Sequence, residues 1–340
     1  MIDVLAKRNA AGSARQAEQI LKQMKRAYAS GNEDARPNAF SYAALIYAWA
    51  KSNEHGAAER AEAILRETER LARLDDKLRP FTQTYDAVID AWARSPYECP
   101  GMCRAERAKS VFMEMLQRYQ AGDDKVKPTV RSFSKVFLAF ARTPDETSPH
   151  RAEEFLQLME DLNRRGVIDV KPNSIIFTTL IDTWAKSRSP EAPERAEYLL
   201  MRMQQSYASG EIHLKPDHVA FASGVDAWAK SGREDAPLRI VSLISQMEKL
   251  YRLHGDDDLK PNKMPYNTLI KLIANSDDVD SAAKRADQIL HRMFSLYHKG
   301  NDEMRPERHV CMSVINLWSR TLLPGAQEKI ESIKILMEEI

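Results

Sequence analysis

The chain has 340 residues, more than one compact domain usually needs, with a hydrophobic fraction of 43% and a charged fraction of 29% that exclude disorder. No apolar run approaches the roughly 20 residues that cross a bilayer. Fifty basic and 49 acidic residues give a net charge of +1, so any affinity for phosphate must come from local placement.

In chain order the first segment, Met1 to Lys7 (MIDVLAK), matches the tail of a later helical segment, LIDTWAK at Leu180 to Lys186. The array is therefore expected to start within a helix. A Lys/Arg-Pro pair then recurs at Arg36-Pro37, Arg79-Pro80, Lys127-Pro128, Lys171-Pro172, Lys215-Pro216, Lys260-Pro261 and Arg305-Pro306. The prolines are 43, 48, 44, 44, 45 and 45 residues apart, the mark of a repeated supersecondary unit.

After each pair comes a helix of one kind: FSYAALIYAWAKS from Phe40, TYDAVIDAWARS from Thr84, SFSKVFLAFAR from Ser132, IFTTLIDTWAKS from Ile176, AFASGVDAWAKS from Ala220, PYNTLIKLIANS from Pro265 and VCMSVINLWSR from Val310. In each, an aromatic residue or Cys311 is followed by apolar residues three, four and seven positions on, with Gly224 the one gap. A polar loop and a second helix follow, the latter marked by RAEAIL at Arg60, RAKSVF at Arg107, RAEEFL at Arg151, RAEYLL at Arg195 and KRADQIL at Lys284. That helix ends near a glycine with acidic neighbours, as at Gly31 and Gly210. The last segment, from Ile330, stops within a second helix, and the chain is expected to be part of a longer protein.

A lone helix pair cannot bury its apolar stripe, so the pairs must stack into an all-α solenoid. The expected organisation is a single array over 1–340: a partial repeat 1–37, repeats 38–80, 81–128, 129–172, 173–216, 217–261 and 262–306, and a partial repeat 307–340.

The segments SIIFTTLIDTWAK with a later LKPD, and MPYNTLIKLIAN after LKPN, resemble the pentatricopeptide repeat, with its TYNTLI-type first helix and closing Lys-Pro. The resemblance covers nearly the whole chain. It implies a right-handed superhelical solenoid of antiparallel helix pairs that binds single-stranded RNA in a mitochondrion or plastid and serves RNA processing, stability or translation. These repeats exceed the family's usual length of about 35 residues, close to the 34 of the related tetratricopeptide repeat, and so look like the expanded repeats of algal or protist arrays and the repeat region of protein-only RNase P.

The resemblance also implies two base-selecting residues per repeat, one early in the first helix and one just after the closing proline. The pairs are Ala43 with Phe81, Asp86 with Thr129, Ser134 with Asn173, Thr178 with Asp217, Ala222 with Asn262, and Asn267 with Glu307. Ser134 with Asn173 implies adenine and Thr178 with Asp217 guanine, whereas Ala43, Phe81 and Ala222 read as non-selecting. From the residues alone, a basic side chain recurs two positions after the helix tryptophan or its equivalent: Lys7, Lys51, Arg94, Arg142, Lys186, Lys230 and Arg320, with Asn275 the exception. Such a column suits a phosphate backbone, and equally suits the negative end of each helix dipole.

Trp49, Trp92, Trp184, Trp228 and Trp318 lie on the apolar stripe and read as core. Cys99 and Cys103 lack a second ligand pair, Asp256 to Asp258 repeat the acidic loops elsewhere, and the histidines are scattered. The reading is a non-enzymatic binding protein with no cofactor, no metal, no membrane anchor and no small-molecule substrate. The alternatives are a protein-interaction scaffold or organellar ribosome-associated subunit, or the binding arm of a protein-only RNase P-like enzyme whose catalytic domain lies elsewhere.

Overall fold

The structure, a computed structural model, describes residues 12–52, 54–95, 103–143 and 145–340. The opening segment with Lys7, and Cys99, lie outside the described residues. Among the described residues there are fifteen α-helices and no strand. The first partial repeat supplies α1 (Ser13–Ala29), and the later repeats supply pairs: α2 (Ala39–Lys51) with α3 (Ala57–Ala72), α4 (Thr82–Arg94) with α5 (Arg104–Gln120), and α6 (Val130–Ala141) with α7 (Ser148–Arg164). There follow α8 (Ser174–Lys186) with α9 (Ala192–Ala208), α10 (His218–Lys230) with α11 (Ala236–His254), α12 (Lys263–Ala274) with α13 (Val279–His298), and α14 (Arg308–Arg320) with α15 (Ala326–Glu338).

The residue after each closing proline is the N-cap of a first helix. Asn38, Thr129, Asp217 and Asn262 each accept a bond from a backbone N–H inside the following turn, and Asn38 and Thr129 add the reciprocal bond of a capping box with Ser41 and Ser132. Most second helices end on glycine in the left-handed region. Gly31, at φ 98°, donates to Tyr28 O while Asn32 donates to Ala27 O, the paired bonds of a Schellman stop. Gly122, Gly210 and Gly300 repeat it, so a side chain at these positions would be strained without touching anything. What the sequence shows as acidic loops are single 3₁₀ turns, such as Asp76–Leu78 and Asp257–Leu259, capped by Asp75 and Asp256.

Contacts divide the chain into two units, Met1–Thr183 and Trp184–Ile340. In the first, α2, α4 and α6 pack side by side; in the second, α10, α12 and α14 do. Among the described residues, successive second helices do not pack comparably, so in each unit the first helices form the closer-spaced, concave face. Tyr42, Leu45, Ile46 and Trp49 of α2 are all buried, as the helical period requires, and so are the other four tryptophans. Gly224 fits the same scheme: a Cβ there would stand 3.5 Å from Leu200 and 3.6 Å from Leu243, which close over α10.

The recurrent Arg-Ala-Glu of the second helices is an inter-repeat ladder. Arg60 pairs with Glu18 at 2.5 Å, Arg107 with Glu62 at 2.6 Å, Arg151 with Glu106 at 3.0 Å, and Lys329 with Asp287 at 3.2 Å. Two carboxylates also take an indole N–H from the next repeat: Trp92 Nε1 donates to Glu62 at 2.8 Å and Trp228 Nε1 to Glu197 at 2.9 Å. Glu62 is buried, and its loss strands an indole N–H and the Arg107 guanidinium; Arg66, which Glu62 also holds at 3.2 Å, keeps Glu69 and Glu114. Because Arg107 keeps part of its surface in water, Glu62→Ala is expected to cost about 2–3 kcal/mol, below the ~3–5 of a fully buried pair. Glu62→Gln, which can still accept from Trp92, should recover about half in urea denaturation monitored by far-UV circular dichroism.

Candidate nucleic-acid interface

Counting from the N-cap, each first helix turns positions 2, 5, 9 and 13 to its concave side, a stripe at helical spacing opposite the core. Position 13 holds the basic column and position 5 the first member of each selector pair.

At position 5 the environment varies by repeat. Ser134 is half-buried and donates to Val130 O at 2.9 Å, which leaves its oxygen lone pairs as acceptors. Thr178 Oγ1 and Asn267 Oδ1 are buried without a hydrogen-bond partner, and so is Asp86 Oδ1. Burial pushes the Asp86 carboxyl up, against the pull of a hydrogen bond with Ser132 and of the Lys135 charge; the Lys135 ammonium itself bonds Asp86 O at 2.8 Å. Ala43 and Ala222 offer no polar atom.

The second member of each pair is the N-cap of the next first helix, and capping engages part of it. Asn173 Oδ1 accepts from Ile176 N at 3.1 Å, Asp217 Oδ1 from Ala220 N at 2.8 Å and Asn262 Oδ1 from Met264 N at 3.1 Å. The Asn173 amide nitrogen and the second Asp217 carboxylate oxygen remain for a base edge. Thr129 is in its capping box; Glu307 makes no cap bond and pairs with Lys263 at 2.7 Å, which holds its carboxyl below the usual range. Phe81 caps nothing through its side chain, and its ring lies 5.3 Å from that of Phe40.

Position 2 was not singled out by the sequence reading. It carries Phe40, Ile175, Val219 and Met264, with 73%, 64%, 46% and 60% of their surfaces exposed. Apolar side chains held in water one turn before a polar position offer flat or flexible surfaces against which a base can lie. The readable signal was an apolar residue two positions before the core aromatic in four of the repeats, on the wrong face for the core; Gln83, Arg131 and His309 hold that position in the others.

Along position 13, Arg94 bonds Asp90 at 2.9 Å and Lys230 bonds Asp226 at 2.5 Å, each one helical turn earlier. Lys230 also reaches Ala185 O at 3.4 Å, and Lys51 lies over the Tyr47 ring at 5.5 Å. Arg142, Lys186 and Arg320 are exposed. In the second unit Lys230 joins Arg188 and Arg233 around a cleft of about 440 Å³ whose other polar lining is serine. The exposed Lys230–Asp226 pair is worth about 0.3–0.5 kcal/mol, so a phosphate can displace it at small cost, whereas Asp90 is buried.

No family model matches the sequence, and no curated protein matches it. Among solved structures, the crystal structure of the pentatricopeptide repeat protein PPR10 from maize is similar, with a TM-score of 0.49 and 18% identity over 98% of this chain. The match takes in 44% of that chain, so this chain spans less than half its length.

Proposed function

We propose that the chain binds single-stranded RNA along the concave faces of its first helices and acts in mitochondrial or plastid RNA metabolism. The observation that carries the binding reading is the recurrence at position 5 of buried polar atoms with no partner, Asp86 Oδ1, Thr178 Oγ1 and Asn267 Oδ1. Buried polar groups are normally satisfied, and three at one register are explained by a ligand that brings its own donors and acceptors at the repeat spacing. An unstacked base does so. The exposed position 2 side chains supply its apolar support and the position 13 cations its phosphate partners. The organellar setting rests on the family resemblance of the sequence.

The test is fluorescence anisotropy with short single-stranded RNAs differing at one base, on the wild type and on Ser134→Thr with Asn173→Asp. Asn173 presents an amide donor beside the Ser134 acceptor, which matches adenine; Asp presents acceptors alone, which matches the N1–H and N2–H donors of guanine. The double variant is expected to exchange a preference for adenine for one of guanine, by about tenfold, at one position of the RNA. Equal affinity for all four bases in both proteins refutes the assignment, and no RNA binding by the wild type refutes the function.

A further inference from the structure

The Lys/Arg-Pro junction builds a second ladder, along the closing turns. Arg36 pairs with Asp75 at 2.7 Å, Arg79 with Asp123 at 3.7 Å, and Lys215 with Asp258 at 2.9 Å as well as with Asp256. In each case the cation before one closing proline meets a carboxylate five residues before the next. The rule breaks at Lys127, where that position is Val167, and at Lys260, where it is Asn301. The Asn301 amide nitrogen donates to Pro261 O at 2.8 Å, its Oδ1 is buried without a partner, and Lys260 has no ion pair among the described residues.

A cleft of about 450 Å³ opens there in the second unit, between the closing turn and α13. Lys260, Lys299, Arg252 and Arg292 line it. Its one carboxylate, Glu248, is engaged by Arg292 at 2.7 Å and by the Tyr266 hydroxyl at 2.5 Å, which together hold it ionised against its burial. That leaves Lys260, Lys299 and Arg252 with no carboxylate partner around one cavity.

We propose that this cleft is a nucleotide-binding site, with the phosphate held by Lys260, Lys299 and Arg252 and a ribose hydroxyl donating to Asn301 Oδ1. Three uncompensated cations select a dianion. The orphan acceptor requires a donor, and a ribose hydroxyl supplies one at a distance from the phosphate, whose oxygens stay with the cations. The volume lies in the range of about 300–1,000 Å³ typical of small-molecule sites, and Tyr251 and Leu296 give apolar wall beyond the phosphate. The nucleotide is either free or one unit of a bound RNA strand, and the site does not depend on the concave face binding RNA.

The test is isothermal titration of the whole chain with adenosine 5′-monophosphate, with inorganic phosphate as comparator. Saturable binding near one per chain is expected, about tenfold tighter than phosphate alone. Asn301→Asp places a carboxylate beside Lys260, as Asp256 stands beside Lys215, and should weaken the nucleotide at least tenfold with an unchanged circular dichroism spectrum. Lys260→Gln with Lys299→Gln should do the same by removing charge. No saturable binding by the wild type, or wild-type binding by both variants, overturns the site. An RNA titration of Asn301→Asp assigns the source: parallel loss of RNA affinity means a strand nucleotide, and unchanged RNA affinity with lost nucleotide binding means a free one.

Discussion

Phe155→Ala is expected to remove about 3–5 kcal/mol from the first unit, the largest effect of any single substitution considered. Phe155 on α7 is 1% exposed and is the hub of an aromatic cluster, with ring centroids 5.1 Å from Phe112, 5.3 Å from Phe133 and Phe137, and 6.2 Å from Phe140. Its removal leaves a cavity bounded by four rings that cannot all move inward, because Phe133, Phe137 and Phe140 are fixed to one helix and Phe112 to another. The ring contacts add about 0.5–1.5 kcal/mol per pair beyond buried area, so the loss belongs at the upper end. Phe155→Leu, which refills most of the volume, should cost about 1–2 kcal/mol. In a repeat array each repeat is stabilised mainly by its neighbours, so urea denaturation should show an early partial transition rather than a uniform shift of one midpoint. A single unshifted transition for Phe155→Ala would contradict the hub.

That cluster shows why the fold was legible and some of its working parts were not. Phe140 stands where other repeats place tryptophan, yet its spacing from Phe133, Val136 and Phe137 is unchanged, and the helical period depends on spacing. The closing prolines were legible for the same reason. The residues after them were harder: N-capping and base selection both favour Asn, Asp and Thr, so residue type at Asn173 or Asp217 cannot separate the two demands. Structure separates them by atom, one oxygen to the cap and the remainder to solvent. Asp86 reads as a selector in the sequence, but its burial was beyond reach, because α2 and α6 pack on either side of α4, whereas its own helix reads as half polar. The ladder partners Arg107 and Glu62 are far apart in the chain, and no local period connects them.

Neutralising the basic column, by Gln at Lys51, Arg94, Arg142, Lys186, Lys230 and Arg320, should have the largest effect on RNA affinity. If each cation meets one phosphate, the salt dependence for a single strand has a slope of about −0.7 per contact, or about −4 in all. Between about 50 and 200 mM salt the wild type should then lose roughly 300-fold in affinity, and the neutralised variant only a few-fold. The net charge of +1 does not oppose this, since charges beyond a Debye length of about 8–10 Å are largely screened and the phosphates meet the local column. Nor does Asp226 cancel it: displacing it from Lys230 costs about 0.3–0.5 kcal/mol, a factor near two. Gln keeps helix propensity and chain length, so the helix-end alternative makes a separate forecast. If the cations serve only the helix dipoles, the variant should lose about 0.3–1 kcal/mol per helix in urea with no change in RNA affinity or salt slope. A slope that stays near −4 after all six changes would remove the column from the RNA path and leave the unpartnered position 5 atoms to account for binding alone.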